Sequence, residues 1–411
     1  MPTSVIPQCF VLALVLAGLG SGAAHAQDAA TAAEPSSTAA PDQFDMPTSM
    51  GDAKSIEISA NYGADLNADL AGGGRRGVAY LGRLGILFDA KPGWNDTSIH
   101  ASLLTIHGTG LTGQFVGNLN TVSGLEAEPA ARLNQLWVET ALSRKTRLRI
   151  GKFPAAPNFA TSNAASLFVN AAFGWPTAFA LDLPQGGPAW PLAAPGVMVT
   201  SAPRSGLTLS GAVFAGLPAG VQSDDPQRDD AQGFGAFRLR GAPLAIGEAA
   251  FDLGRATMKA GGWYQSSQSG SPVAPANVGA TWSAYALVDV QLMPARANAR
   301  QLSAFARIFL VSPDRSASPF YADAGLVLKA PLPRRPDDQL GLAAGYVAVR
   351  DTGQYPTGDE FVSELSYQLQ LSPRLSLQPN VQLIRQSREN PAFPGAERSA
   401  LVPGVRINLH S

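Results

Sequence analysis

From Ser55 to the end, the chain repeats one pattern: segments of about ten residues in which apolar and polar side chains alternate, parted by Gly, Pro, Asn and Asp. A two-residue period is that of an extended strand, so each segment carries one apolar and one polar face. In the clearest case Phe361, Ser363, Leu365, Tyr367, Leu369 and Leu371 oppose Glu360, Glu364, Ser366, Gln368 and Gln370. After the turn Ser372-Pro373-Arg374, Leu375, Leu377, Pro379, Val381 and Leu383 alternate with Ser376, Gln378, Asn380 and Gln382. The last segment sets Leu401, Pro403, Val405, Ile407 and Leu409 against Val402, Gly404, Arg406 and Asn408. Two architectures use such strands. In a soluble sandwich the apolar face is the core; in a transmembrane barrel it meets lipid and the polar face lines water.

Connection lengths separate the two. About sixteen strands are expected, starting near Ser55, Gly77, Thr97, Arg132, Thr146, Gly196, Leu207, Phe234, Thr257, Thr281, Gln301, Phe320, Gln339, Glu360, Leu375 and Ser399. Tight links at Ser143 to Lys145, Pro203 to Gly206 and Ser372 to Arg374 alternate with long ones at Gly108 to Ala130, Pro154 to Pro195, Pro218 to Gly233, Ser267 to Gly279 and Arg388 to Arg398. Short periplasmic turns and long outer loops give this alternation; a sandwich has no reason for it. The predicted fold class is therefore all-β, a transmembrane antiparallel β-barrel. About sixteen strands enclose a lumen that side chains alone cannot fill. The strand with Leu103-Leu104 is ambiguous in facing.

Residues 1–26 read as an export signal, with an apolar stretch from Phe10 to Leu19 too short to span a bilayer as a helix and a small-x-small site at Ala24-His25-Ala26. Residues 27–52, rich in Ala, Ser, Thr and Pro, read as a flexible periplasmic tail, and 53–411 as the barrel. The one cysteine, Cys9, lies in the signal, so the mature chain has neither disulfide nor thiol chemistry. A net charge of −1 argues against nucleic acid as a partner. Charged residues are only 15%, mean hydropathy is +0.03, and no apolar run of transmembrane-helix length follows the signal.

The stretches RGVAYLGRL (from Arg76), IHGTGLTGQFVGNLNTVSGLEAEPAARLNQLWVE (from Ile106), RIGKF (from Arg149), ASLFVNAAFGWP (from Ala165) and LPQGGPAWPLAAPGV (from Leu183) carry a resemblance. Weaker stretches such as GEAAF, GGWYQ and YADAGLVLKAPLPRRPDDQLGLAAGYVAV continue it. Together they resemble the carbohydrate-selective porins, the OprB type of bacterial outer membranes, across almost the whole mature chain. The resemblance implies a sixteen-stranded barrel passing glucose-like sugars by diffusion. The end of the chain, Leu409-His410-Ser411, departs from the terminal aromatic residue usual in such proteins, which bears on insertion rather than architecture.

Strand parity points Arg83, Glu139, Arg147, Arg149, Arg238, Arg240, Asp289, Arg307, Asp323 and Glu364 into the lumen. The opposite placement, on the lipid face near mid-membrane, costs roughly 2–4 kcal/mol for Arg. Most of these charges are expected to pair across strands and hold the wall. A few arginines, with Glu139 or Glu364 opposite, are candidates to hydrogen-bond sugar hydroxyls. The connection from Pro154 to Pro195 holds Phe159, Phe168, Asn170, Phe173, Trp175 and Trp190, and so many aromatics predict that it folds inward as a constriction. Trp137 and Trp263 stack on sugar rings or, as most Trp and Tyr do in barrels, anchor at the membrane interface.

Expected partners are small carbohydrates, the lipid bilayer with its lipopolysaccharide, and the barrel assembly machinery; no metal or other cofactor is expected. His100 and His107 could lie on adjacent turns of one strand, yet no third ligand pattern or Cys accompanies them, which argues against a metal. His107-Gly108 supplies no nucleophile, which leaves a barrel hydrolase as the weaker alternative beside a non-selective general porin. Glu126 and Glu128 are expected to be solvated or paired with Arg132.

Overall fold

The computed structural model describes residues 54–176, 180–183, 186–217, 225–234, 237, 239, 241–266, 280–293, 300–312, 316–351, 356–390 and 393–411. The expected export signal and tail, and Arg238 and Arg240, lie outside the described residues. Among those described, one sheet holds seventeen strands, of which Ala71–Gly72 is a two-residue bridge. The others are β1 (Ser55–Asp69), β2 (Gly77–Lys91), β3 (Ser98–Gly108), β4 (Ala130–Ser143), β5 (Thr146–Phe153), β6 (Ala194–Arg204), β7 (Leu207–Phe214) and β8 (Leu244–Asp252). They continue with β9 (Ala256–Gln265), β10 (Thr281–Met293), β11 (Gln301–Val311), β12 (Phe320–Lys329), β13 (Gln339–Val349), β14 (Gly358–Ser372), β15 (Leu375–Gln386) and β16 (Ser399–His410).

Each strand pairs antiparallel with its sequence neighbours, and the first closes on the last, from Asn61↔His410 to Asn67↔Gly404. Closure pairs the wall through its middle all the way round, which a sheet in lipid requires. Two-residue links join Ser143 to Thr146, Arg204 to Leu207 and Ser372 to Leu375, with a register shift beside each. In the second, Gly206 adopts φ +72, a conformation that side chains with a Cβ resist.

The facing of the strands decides between sandwich and barrel. On β14 the polar set Glu360, Glu364 and Ser366 is buried, whereas Leu365 is 50% and Leu371 51% exposed. Ile407, Val405 and Leu401 on β16 are likewise exposed while Arg406 is fully buried. A polar interior behind an apolar exterior is the inverse of a soluble core and is what a lipid-embedded wall demands.

The expected starts agree closely with the observed ones, with one correction. The strand expected from Phe234 begins instead at Leu244. The alternation of Phe237 and Leu239 mimics a strand, but the eight-residue β7 has no ladder to offer it: Leu207 pairs with Phe251 and Phe214 with Leu244, and pairing ends there. The ambiguous β3 resolves with Leu103 outward and Leu104 buried. Its irregularity belongs to the partner strand, where Ser102↔Gln135 is followed by Leu103↔Leu133 and Asn134 forms the bulge.

Candidate functional site

The two longest early connections, 109–129 and 154–193, hydrogen-bond to buried, inward faces of strands far away in sequence. A backbone folded into a barrel must find partners for its amides and carbonyls. Wall carboxylates supply acceptors in pairs. Glu360 accepts from the amides of Leu119 (2.6 Å) and Asn120 (2.7 Å), and Glu364 from those of Val169 (2.7 Å) and Asn170 (2.8 Å). Asp289 accepts from Ser162 Oγ (2.5 Å) and the amides of Asn163 (3.2 Å) and Ala164 (3.4 Å). Glu248 accepts from the Ala160 amide at 2.8 Å and the Tyr285 hydroxyl at 2.7 Å.

Carbonyls find cationic and amide donors. Arg307 donates to the carbonyls of Ala172 (3.0 Å), Phe173 (2.9 Å) and Gly174 (2.7 Å) while its Nε bonds Asp323 at 2.9 Å. Lys259 donates to the Thr161 carbonyl (2.9 Å), Gln378 to that of Leu167 (2.6 Å), and Gln382 to that of Val122 (2.8 Å). The 154–193 segment thus runs from β5, where Arg149 donates to Asn158 at 2.9 Å, across to β8–β14. An apolar cluster joins loop to wall: Phe159, Phe168 and Phe173 are buried with Tyr285, Phe305, Phe309 and Tyr321. The ring centroids of Phe168 and Phe173 are 5.1 Å apart.

Of the predicted lumenal charges, Arg149, Asp289, Arg307 and Glu364 bond the inner loop directly, and Asp323 holds Arg307 in place. Glu139, Arg147 and Arg149 form a separate ladder, with Arg147 Nε to Glu139 at 2.6 Å and Arg149 Nη2 to Glu139 at 2.7 Å. Arg149 also lies 4.1 Å over the Trp137 ring, and Trp137 stacks on His100 at 5.0 Å. Trp137 and Trp263 are both buried inside the wall and not at an interface belt. Arg83 sits 5.5 Å over the ring of Trp190. His107 faces outward, its Nε2 3.2 Å from the Tyr62 hydroxyl, which bonds that of Tyr80.

Several supports were not singled out from sequence. Glu360 shares a face with Glu364 and had the same signal. Glu248 was hidden by the misplaced start of its strand. The buried Asp65–Arg406 pair (2.7 Å), which also bonds Ser123, joins the first strand to the last and has no local signature.

Glu126 is half-buried at the cavity wall, where its inward-folded segment places it, rather than fully solvated; it accepts from the Thr112 hydroxyl at 2.9 Å. Burial pushes its carboxyl up to about 7, against the Thr112 hydrogen bonds that favour the charged form. Asp182 is likewise pushed by burial to about 6, although Ser316 Oγ (2.5 Å) and the Ala317 amide (2.9 Å) donate to it. Glu128 pairs with Arg228 at 3.5 Å, not with Arg132.

Between the two inward segments lies a cavity of about 350 Å³. Phe168, Phe173, Trp175 and Trp190 supply ring faces and edges; Glu126, Asn134, Ser162 and Gln227 supply polar groups. Phe159 and Asn170 stand outside the lining: Phe159 accepts the Trp175 indole N–H on its carbonyl (3.0 Å), and Asn170 bonds Gln382 (2.9 Å). Apolar faces with a few placed polar groups suit a small polar ring that is dry on its faces and wet at its rim. Among the described residues no cluster of His, Cys, Asp and Glu is arranged to hold a metal ion.

The closed barrel is similar to solved porins. The high-pH structure of Pseudomonas putida OprB superposes with a TM-score of 0.74 at 17% identity, covering 87% of this chain and 94% of that one. Its low-pH structure gives 0.54 at 14% identity, covering 87% and 92%. An anion-selective porin from Comamonas acidovorans gives 0.52 at 12% identity, covering 87% and 100%. A sequence comparison with curated proteins finds no match. The family model of the carbohydrate-selective porins, OprB family, matches residues 75–410. With that match spanning nearly the whole barrel, the chain belongs to the carbohydrate-selective porins, β-barrel channels of the Gram-negative outer membrane.

Proposed function

We propose that neutral sugars of glucose size diffuse passively through this barrel by way of the cavity between segments 109–129 and 154–193. The observation that carries the reading is the anchoring of both segments inside the wall, which fills much of a sixteen-stranded lumen and leaves an aromatic and polar cavity of about 350 Å³ between them. Trp175 and Trp190 stack on pyranose faces; Glu126, Asn134 and Gln227 exchange hydrogen bonds with hydroxyls and replace part of the sugar's water. The wall charges act one step back, setting the position of the loop that shapes the opening.

The apolar exterior fits a bilayer containing lipopolysaccharide, reached with the help of the barrel assembly machinery. The reading is tested by refolding the chain from Gln27 into liposomes and following swelling with glucose, a larger oligosaccharide and an amino acid of glucose size. Faster swelling with glucose is expected. Equal rates for all small solutes would leave a general porin, and no swelling from a folded barrel would reject the channel.

A further inference from the structure

A second cavity, of about 240 Å³, is walled by the inner loop at Asn163 and Ala164 and by strand ends at the short connections. Its lining takes Arg255 from the turn after β8 and, from the strand ends, Thr257, Gln291, Gln301, Ser303, Lys329 and Gln339. The ladder explains why these side chains converge. Gln301↔Lys329, Lys329↔Gln339 and Gln339↔Gln368 form one row across β11 to β14, and Gln291↔Ser303 begins the next. All project to the interior by the two-residue period. The inner loop roofs the cavity through Asn163 and Ala164, whose amides bond the Asp289 carboxylate, turning that charge toward the loop.

We propose that this cavity is a second docking site for a neutral monosaccharide, between the inner loop and the short connections; it rests on the sugar-channel reading. Each glutamine amide offers both donor and acceptor, as do the hydroxyls of Ser303 and Thr257, and a sugar hydroxyl has the same duality. Gln339 Nε2 already donates to Gln368 Oε1 at 3.1 Å, which orients the amide row. The volume equals about eight liquid waters, enough for one hexose ring. Unlike the aromatic cavity, this one presents almost no ring faces, so it holds sugar by its rim. Weak sites in series let a solute enter favourably and still leave, the condition for conduction.

The test is sugar block of ion current in planar bilayers, with protein added from one side to fix its direction of insertion and glucose added to either side. Gln301→Ala with Gln339→Ala is expected to raise the half-blocking glucose concentration about fivefold from the short-turn side, the effect of roughly 1 kcal/mol of lost hydrogen bonding. The change from the loop side is expected to be much smaller. Gln339→Leu, close in volume, gives the same asymmetry and guards against failure of the double variant to insert, which heat-modifiable migration checks. An unchanged block from the short-turn side, or equal changes from both sides, overturns the second site. Stronger block by a sugar acid than by glucose at that side overturns its neutral-sugar assignment in favour of Lys329 and Arg255 as anion contacts. Absence of glucose block from either side of the unaltered protein instead sinks the sugar-channel reading itself.

Discussion

Arg307 on β11 and Asp323 on β12 stand directly opposite each other in the ladder, fully buried, and the same guanidinium reaches three consecutive carbonyls of the inner loop, those of Ala172, Phe173 and Gly174. One side chain thus joins wall to wall and wall to loop. Removing one partner of such a pair strands a buried charge, which costs roughly 3–5 kcal/mol. The barrel ladder does not depend on it. Arg307→Leu is therefore expected to release residues 172–174 while the barrel still forms: swelling with a trisaccharide increases several-fold and heat-modifiable migration persists. Unaltered exclusion of the trisaccharide would show that the loop is held without Arg307.

Glu360 and Glu364 each accept two consecutive loop amides, but from different segments. Glu364→Gln replaces one acceptor oxygen with a donor and leaves an amide short of a partner, a cost of about 1–3 kcal/mol. Amide exchange at Val169 and Asn170 is expected to speed up by tenfold or more, with Leu119 and Asn120 little changed. Glu360→Gln gives the reverse pattern. Exchange that rises at all four amides in either variant would mean that the two segments move as one unit.

The half-buried Glu126 carboxyl supplies a pH dependence. Its proton affinity in the folded protein, at about 7, exceeds the ordinary 4.5. The folded state binds more protons than the unfolded state between those values, so this group's contribution is fully present below about 4.5 and is lost as pH rises through about 7. Thermal unfolding is expected at higher temperature at pH 5 than at pH 8, and Glu126→Gln should flatten that part of the profile. A profile identical in the variant would assign the dependence elsewhere, with Asp182 the next group to substitute.

Trp190 lines the aromatic cavity, supports Arg83 on its ring and donates its indole N–H to the Glu126 carbonyl at 3.2 Å. Trp190→Ala removes one stacking face, worth roughly 1 kcal/mol. Glucose flux should then saturate at about fivefold higher concentration, and the difference between glucose and an amino acid of similar size should shrink. If only the maximal flux changed, Trp190 would be acting on the width of the opening and not on sugar affinity.

The strand pattern was legible because a lipid-facing wall imposes it locally. Leu365 must face hydrocarbon and Glu364 must not, and a two-residue period writes both demands into neighbouring positions. Turn chemistry was equally local, as at Ser205-Gly206. Where local pattern and pairing disagreed, pairing won: Phe237 and Leu239 alternate like a strand, yet β7 ends at Phe214 and no partner remains.

The alternation along the chain was enough for the barrel and for the inward facing of charges such as Arg307 and Glu364, and the aromatic content of residues 154–193 was enough for a loop that folds inward. What those charges hold depends on the closed barrel. Glu364 meets Val169 and Asn170 across nearly two hundred residues of chain, and Arg406 meets Asp65 across more than three hundred. No periodicity records such distances, because hydrogen bonds to a loop backbone are made by position and not by the identity of the loop residue. The same holds for both cavities, which are spaces left between anchored segments and strand ends. Their shape follows from where buried amides and carbonyls find partners, and that is settled only once the barrel has closed.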